Sequence, residues 1–139
     1  MKKKAGTIPI RIMDGALMVC LVSSRKRKKK LVLPKGVVSP KEKHRQTALR
    51  ETLEEAGLKG LLSKSSIKVE TVSADDETHY SIKYFAMMVE DELDSWAEKK
   101  TRRRRWVDLH ALPEHKMVSR DLEILKSPQF QIMVKELVF

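Results

Sequence analysis

Residues 36–58 read GVVSPKEKHRQTALRETLEEAGL, and this stretch decides how the rest of the chain is interpreted. Glu51, Glu54 and Glu55 are three and four positions apart, so an α-helix places all three carboxylates on one turn. Like charges at that spacing repel one another unless a cation lies between them. Carboxylate oxygens suit Mg²⁺, which keeps several waters and shares its shell with substrate phosphates. The stretch therefore predicts a helix that holds a divalent cation.

The same stretch contains signals for both ends of a helix. Ser39, Pro40 and Glu42 match an N-cap, a first-turn proline and a capping-box partner. Gly57 matches the residue that ends a helix in the left-handed conformation. These signals predict a helix over Lys43–Ala56.

One face of the predicted helix is apolar, because Leu49, Leu53 and Ala56 follow the helical repeat, with Ala48 beside them. A plain amphipathic helix with a solvated charged face explains that pattern. It does not explain three carboxylates on one turn with Arg50 next to them. The functional interpretation is therefore favoured over the structural one.

The spacing of these residues resembles the signature of the Nudix hydrolases. The fixed positions are Gly36, Glu42 after five further residues, and residues 50–58, RETLEEAGL, after seven more. Thr52 is the one departure, because the pattern prefers an aliphatic residue there. Since threonine is close to valine in volume, we expect the packing to be preserved. The resemblance implies an α/β fold, the Nudix-type α/β/α sandwich around a mixed β-sheet, with residues 1–139 as a single domain.

The resemblance also implies roles for individual residues. Nudix enzymes cleave a pyrophosphate bond with water and Mg²⁺, and Mn²⁺ is a substitute. The metal ligands implied here are Glu51, Glu55 and the backbone carbonyl of Lys35. Glu54 is either a third ligand or the general base, and Arg50 orients the carboxylates through bidentate hydrogen bonds. Some relatives recruit an acid from a later loop, for which Asp75, Asp76 and Glu77 are candidates, although an ordinary acidic turn is the favoured interpretation.

Segments outside this stretch resemble the diphosphoinositol polyphosphate phosphohydrolases more loosely. They are residues 22–25, 57–60, 94–96, 105–107 and 115–116. In that subfamily, basic residues in these segments bind a densely phosphorylated inositol ring. The substrate-binding residues that this implies are Ser24, Arg25, His79, Arg102, Arg104 and Lys116.

The sequence before the motif departs from that subfamily. Residues 33–36 are LPKG, whereas the subfamily usually has a glycine run after the proline. The proline-lysine-glycine form is familiar among diadenosine polyphosphate hydrolases, and it places the Lys35 side chain and Gly36 at a substrate phosphate. Both substrate classes therefore stay open. Aromatic residues make up only 5% of the chain, and the candidates for stacking on a nucleobase are Tyr80, Tyr84, Phe85 and Trp106.

The composition predicts an anionic partner, because the formal net charge is +10. Basic residues cluster at Lys2–Lys4, Arg25–Lys30 and Arg102–Arg105. A polyphosphorylated small-molecule substrate accounts for this charge. The alternative partner is RNA, for a 5′-end pyrophosphohydrolase or for a noncatalytic RNA-binding protein, but Arg25–Lys30 lacks the interleaved aromatic residues of such a binder.

Other features bound the class of protein. The chain of 139 residues has the length of one domain. Its longest apolar run, Ala16–Val22, is too short to span a bilayer, and the first residues lack the apolar core of a signal peptide. Cys20 is the only cysteine, so no internal disulfide forms, and we expect this thiol to be buried. We expect a cytoplasmic protein, monomeric or homodimeric, with no membrane partner.

Hydropathy patterns predict the remaining elements. Pro9 suggests that the first strand is an edge strand or contains a bulge. The predicted strands are Thr7–Met13, Ala16–Ser23, Ile67–Val72, Tyr80–Val89 and Arg104–Leu109, with a short extended piece at Leu31–Pro34 and helical pieces over Arg120–Phe139 interrupted at Pro128.

Overall fold

The computed structural model describes residues 1–26, 29–73 and 77–138. Its elements are the strands β1 (Lys2–Met13), β2 (Ala16–Ser23), β3 (Leu31–Val32) and β4 (Lys35–Val37), the helix α1 (His44–Ala56), the strands β5 (Leu58–Val72), β6 (His79–Glu92) and β7 (Arg104–Asp108), a 3₁₀ turn (Glu114–Lys116), and the helices α2 (Ser119–Lys126) and α3 (Pro128–Val138). The predicted strands and helices are present. The largest difference is β5, which begins nine residues before the predicted Ile67. Register shifts at residues 59–60 and 62–66 break its alternating pattern, so hydropathy alone did not reveal the part of the strand before Ile67.

The strands form a mixed sheet in the order β3-β2-β1-β6-β5, with β4 paired to β1 and β7 paired to β2. The β1–β6 pair is parallel, and the other pairs are antiparallel. β1 is a central strand, so the edge position suggested by Pro9 is wrong. Pro9 is tolerated because it lies between residues 4–6, which pair with β4, and residues 10–13, which pair with β2.

Helices cover both faces of the sheet, as alternate residues of β2 show. Val19 and Leu21 pack in the core cluster that includes residues of α2 and α3. Cys20 and Val22 pack in the cluster that includes Ala56 of α1. This alternation confirms the α/β/α sandwich and the burial of Cys20. Within the described residues, no helix has the length and apolar character needed to cross a membrane.

Helix α1 begins at His44, one residue after the predicted Lys43. Its N-cap is Lys43, whose backbone N–H donates to the Gln46 side-chain oxygen at 2.8 Å, so the predicted N-cap at Ser39 is wrong. Pro40 and Glu42 instead belong to the turn before the helix. The predicted end is confirmed, because Gly57 has a φ of 67° and its N–H donates to the Leu53 carbonyl at 3.0 Å.

The buried face of α1 is more polar than predicted. It consists of Thr47, Ala48, Thr52, Glu55 and Ala56, whereas Leu49 is 38% exposed. The predicted apolar face is therefore wrong at Leu49.

Thr52 is also more than a substitute for valine. Its hydroxyl donates to the Ala48 carbonyl at 2.7 Å and lies 2.6 Å from the hydroxyl of Thr7 on β1. Small polar residues therefore join α1 to the sheet, and they place the Glu55 carboxyl group on the buried side of the helix.

Candidate active site

Arg50 links one glutamate before α1 with two glutamates in the second half of the helix. Its Nε and Nη2 donate to the two carboxylate oxygens of Glu42 at 2.8 and 2.9 Å. Its Nη1 donates to Glu51 at 3.0 Å and to Glu54 at 3.2 Å. The guanidinium, together with the Thr47 hydroxyl, lowers the pKa of Glu42 to about 2. Glu42 therefore stays ionised and holds Arg50, which in turn orients the other two carboxylates.

Glu55 lies in the opposite electrostatic situation. Its side chain is almost fully buried, and this burial raises its pKa to about 8. The charge of Arg102, 3.3 Å from Glu55, acts in the other direction, while the hydrogen-bonded carboxyl group of Glu51 raises the pKa further. The desolvated Glu55 carboxyl group, in contact with Glu51, therefore binds a proton tightly, and a divalent cation there would relieve the same repulsion.

Gly36 explains how β4 approaches this pair. A Cβ atom at residue 36 would overlap the carboxyl group of Glu51. The predicted close approach at Gly36 is therefore an approach to Glu51. The backbone carbonyl of Lys35, one residue earlier, stays a predicted metal ligand.

The carboxylates fit a magnesium ion that keeps part of its water shell. The carboxyl groups of Glu51 and Glu55 contact each other, whereas the Glu54 side chain is 39% exposed and pairs with Arg50. Within residues 1–26, 29–73 and 77–138, no three acidic, histidine or cysteine side chains form a complete metal centre. Mg²⁺ usually takes one or two protein carboxylates and completes its shell with waters and substrate phosphates. A pair of carboxylates is therefore a suitable donor set.

A strongly basic cavity of about 620 Å³ lies next to these carboxylates. Two of its lining residues reach the motif directly, because Lys35 precedes Gly36 and Arg102 contacts Glu55. Burial and the neighbouring Arg120 lower the pKa of Lys35 to about 8. No acidic residue of the described chain lines the cavity, and six basic ones do, namely Lys4, Arg25, Lys26, Lys35, Arg102 and Arg120.

The structure brings only some of the predicted substrate-binding residues together. Ser24, Arg25, Lys35 and Arg102 line the cavity. His79 and Lys116 are exposed at the start of β6 and in the 3₁₀ turn, and neither belongs to the lining.

Arg104 also lies outside the cavity lining. Its Nη1 donates to the Ala56 carbonyl at the end of α1 at 2.9 Å, and its guanidinium lies 4.2 Å from the centroid of the Trp96 ring. Its Nη2 also pairs with Glu92 at 3.2 Å. These contacts stabilise the C-terminal end of α1. Of the predicted late acids, Asp75 and Asp76 lie outside the described residues, and Glu77 is exposed.

Three basic residues of the cavity, Lys4, Lys26 and Arg120, were not predicted as site residues. Lys4 and Lys26 belong to the first and second basic runs but were not assigned to the site. Arg120 lies in α2, where its Nε donates to Asp121 at 3.0 Å. Asp121 is fully buried and accepts the Leu33 N–H at 2.9 Å, so it ties α2 to the segment that leads into the motif. A carboxylate within the apolar segment DLEIL was the signal in the sequence for this link.

Comparison with known proteins shows the family. Residues 2–127 match the NUDIX domain, and the chain belongs to that family. It is 33% identical over 111 residues to Nudix hydrolase 21, chloroplastic, of Arabidopsis thaliana, covering 78% of this chain and 56% of the relative. It is 39% identical over 93 residues to Nudix hydrolase 4 of the same plant, covering 67% and 44%. The chain therefore spans about half the length of these relatives.

Solved structures show the same fold at lower sequence identity. A Caenorhabditis elegans Ap4A hydrolase in a binary complex has a TM-score of 0.69 and 20% identity, covering 99% of this chain and 95% of that one. The NUDIX domain of Shewanella oneidensis NrtR complexed with ADP ribose has a TM-score of 0.76 and 14% identity, covering 95% and 88%. These similarities confirm the Nudix fold.

Proposed function

We propose that this chain is a Mg²⁺-dependent pyrophosphohydrolase that cleaves a diphosphate bond in a highly phosphorylated small substrate. The observation that carries the proposal is the continuity between a six-cation cavity and the carboxylates of Glu51 and the buried Glu55, through Lys35 and Arg102. A phosphate group bound in such a cavity would lie beside the two carboxylates that we propose as metal ligands. The single-domain organisation, the cytoplasmic location and a monomeric or homodimeric state are further predictions.

The number of cations favours a substrate with many phosphates. Arg25, Arg102 and Arg120 each pair with a carboxylate outside the lining, yet the six basic side chains together carry more N–H donors than a single phosphate group can accept. Arginine forms bidentate hydrogen bonds with phosphate, and three of the six are arginines. A substrate with phosphates on several sides would contact most of this wall at once.

The aromatic side chains favour diphosphoinositol polyphosphate over diadenosine polyphosphate. Of the four candidates for base stacking, Tyr80 lines the cavity, and the Lys4 ammonium lies 4.0 Å from the centroid of its ring. Tyr84 and Phe85 are buried in the core, and Trp106 is half-buried with Arg11 5.2 Å from its centroid. A nucleobase therefore finds at most one ring in this lining, and a cation already lies over that ring.

Each residue of the site has its own proposed role in the reaction. Glu51 and Glu55, with the Lys35 carbonyl, would hold the metal ion. When bound, Mg²⁺ neutralises phosphate charge and lowers the pKa of a bound water. Arg50 fixes the directions of Glu51 and Glu54. Glu54 is the more exposed carboxylate, and it is suited to accept the proton of the attacking water.

A substrate panel tests the proposal. Diphosphoinositol polyphosphate, diadenosine polyphosphate, nucleoside triphosphate and capped RNA are compared by kcat/KM, each with Mg²⁺ and with EDTA. We expect the highest value for diphosphoinositol polyphosphate and no turnover in EDTA. A preference for capped RNA would favour the RNA 5′-end alternative, and RNA binding without turnover of any substrate would favour a noncatalytic RNA-binding protein.

A further inference from the structure

The segment between β6 and β7, residues 93–103, is hydrogen-bonded to the C-terminal end of α1. The Leu93 N–H donates to the Gly57 carbonyl at 2.9 Å, and the Glu98 N–H donates to the Glu54 carbonyl at 3.0 Å. From the same segment, Arg102 Nη1 donates to the Ser23 carbonyl at the end of β2 at 2.7 Å. The segment therefore joins the carboxylate helix to the loop that carries Arg25.

Within this segment, one carboxylate oxygen contacts two arginines of the cavity wall. Glu98 Oε1 lies 2.7 Å from Arg25 Nη2 and 3.1 Å from Arg102 Nε. Arg25 and Arg102 line the cavity, whereas Glu98 does not, and its side chain is only 18% exposed. The carboxylate therefore lies behind the cationic wall and not in the space that a ligand would occupy.

We propose that Glu98 is a positioning residue that holds the Arg25 guanidinium at the cavity for binding of substrate phosphate. The inference deepens the proposed function and rests on it. The Arg25 side chain is 60% exposed and belongs to the loop after β2, so without a fixed partner this long side chain would be ordered only when a ligand binds. Arg102 has other partners in the Ser23 carbonyl and Glu55, so its place depends less on Glu98.

The direction of the change in phosphate affinity distinguishes a positioning role of Glu98 from two other roles. Removing an acid near a phosphate site makes the local potential more positive, so a purely electrostatic effect would tighten anion binding. An acid that competes with phosphate for Arg25 would also tighten binding when it is removed. Loss of a positioning contact weakens binding instead, because the arginine must then be ordered by the ligand.

The test is the affinity of Glu98→Gln for inorganic tripolyphosphate, measured by isothermal titration calorimetry in EDTA. The matched control is Glu90→Gln, an exposed residue of β6 that is not part of the cavity lining and undergoes the same change of charge. We expect binding to weaken roughly three- to tenfold for Glu98→Gln and to stay unchanged or tighten slightly for Glu90→Gln. Equal or tighter binding by Glu98→Gln overturns the inference.

A double-mutant cycle separates positioning from general damage to the fold. Glutamine keeps an oxygen acceptor but removes the negative charge that attracts both arginines, and the thermal melt of Glu98→Gln verifies that the variant folds. If Glu98 acts through Arg25, then Arg25→Gln/Glu98→Gln binds tripolyphosphate about as weakly as Arg25→Gln alone. Additive losses overturn the inference. If the wild-type protein itself binds no tripolyphosphate, the proposed function fails first, and the inference fails with it.

Discussion

The carboxylate helix and the cationic cavity wall are built in opposite ways. Helix α1 supplies Arg50, Glu51, Glu54 and Glu55 from six consecutive positions, so the helical repeat alone brings them together. The wall takes its cations from β1, the loop after β2, β4, the segment before β7, and α2. The first site is determined locally and the second by the fold. We therefore expect changes in α1 to affect metal binding and turnover, and changes in the wall to affect substrate affinity.

The largest effect is expected from Glu55→Gln. The substitution keeps the shape of the side chain and removes a ligand charge, so kcat should fall by about 10²-fold or more, since even outer contacts of a metal site are worth about 10–100-fold. Calorimetric titration with Mg²⁺ should show weaker binding. Because burial disfavours the Glu55 charge, the melting temperature in EDTA should not decrease. Wild-type turnover by Glu55→Gln would show that this carboxylate of α1 does not take part in the reaction.

Asp121→Asn tests the link between the two regions. Asp121 is buried, and it accepts hydrogen bonds from Arg120 and from the Leu33 N–H. Loss of one member of a buried charged pair should lower the free energy of unfolding by roughly 3 kcal/mol. Urea denaturation measures the change, with the exposed Asp91→Asn as control. An unchanged midpoint would show that α2 does not anchor the segment before the motif.

Substitutions of two basic residues, Lys35 and Arg104, test the distinction between the cavity wall and the carboxylate helix. Lys35→Gln removes a cation of the cavity, so KM should rise roughly tenfold, as expected for a lost hydrogen bond to a charged group. Arg104→Gln removes contacts with the Ala56 carbonyl and Trp96, so it should cost about 1–2 kcal/mol of stability with a much smaller change in KM. Steady-state kinetics and thermal melts distinguish the two. The reverse pattern would place Arg104 at the substrate.

The smallest effect is expected at the contact between α1 and β1. Thr52→Val leaves the buried Thr7 hydroxyl without its partner, which should cost about 1 kcal/mol. Replacing both threonines by valine removes the donor and the acceptor together, so Thr7→Val/Thr52→Val should be closer to wild type in urea denaturation. Additive losses would mean that the two hydroxyl groups do not depend on each other.

The sequence predicted the features that depend on nearby residues. The helix, its end at Gly57 and most strand positions follow from spacing over a few residues. The contacts of Arg50 with Glu51 and Glu54 were implied by the resemblance to the Nudix hydrolases. The burial of Glu55 was not predicted, because it depends on how β1 packs against the small polar face of α1.

The cavity wall was harder to predict, because its residues are distant in sequence. Arg102 lies just before β7 and Arg104 is its first residue, yet Arg102 lines the cavity and Arg104 caps the C-terminal end of α1. Only the register of β7 and its contacts with α1 distinguish them. Arg120 was missed for a related reason, since its place at the cavity depends on the long-range contact between its neighbour Asp121 and the Leu33 N–H.

The most direct test of the central claim follows diphosphoinositol polyphosphate by ³¹P NMR with the wild-type protein and with Glu55→Gln. The wild type with Mg²⁺ should remove the signals of the diphosphate group and release inorganic phosphate. EDTA and Glu55→Gln should each abolish or strongly reduce that change, while the substrate still binds to the cationic cavity. Undiminished hydrolysis in EDTA or by Glu55→Gln, or no hydrolysis by the wild type with Mg²⁺, would contradict the claim.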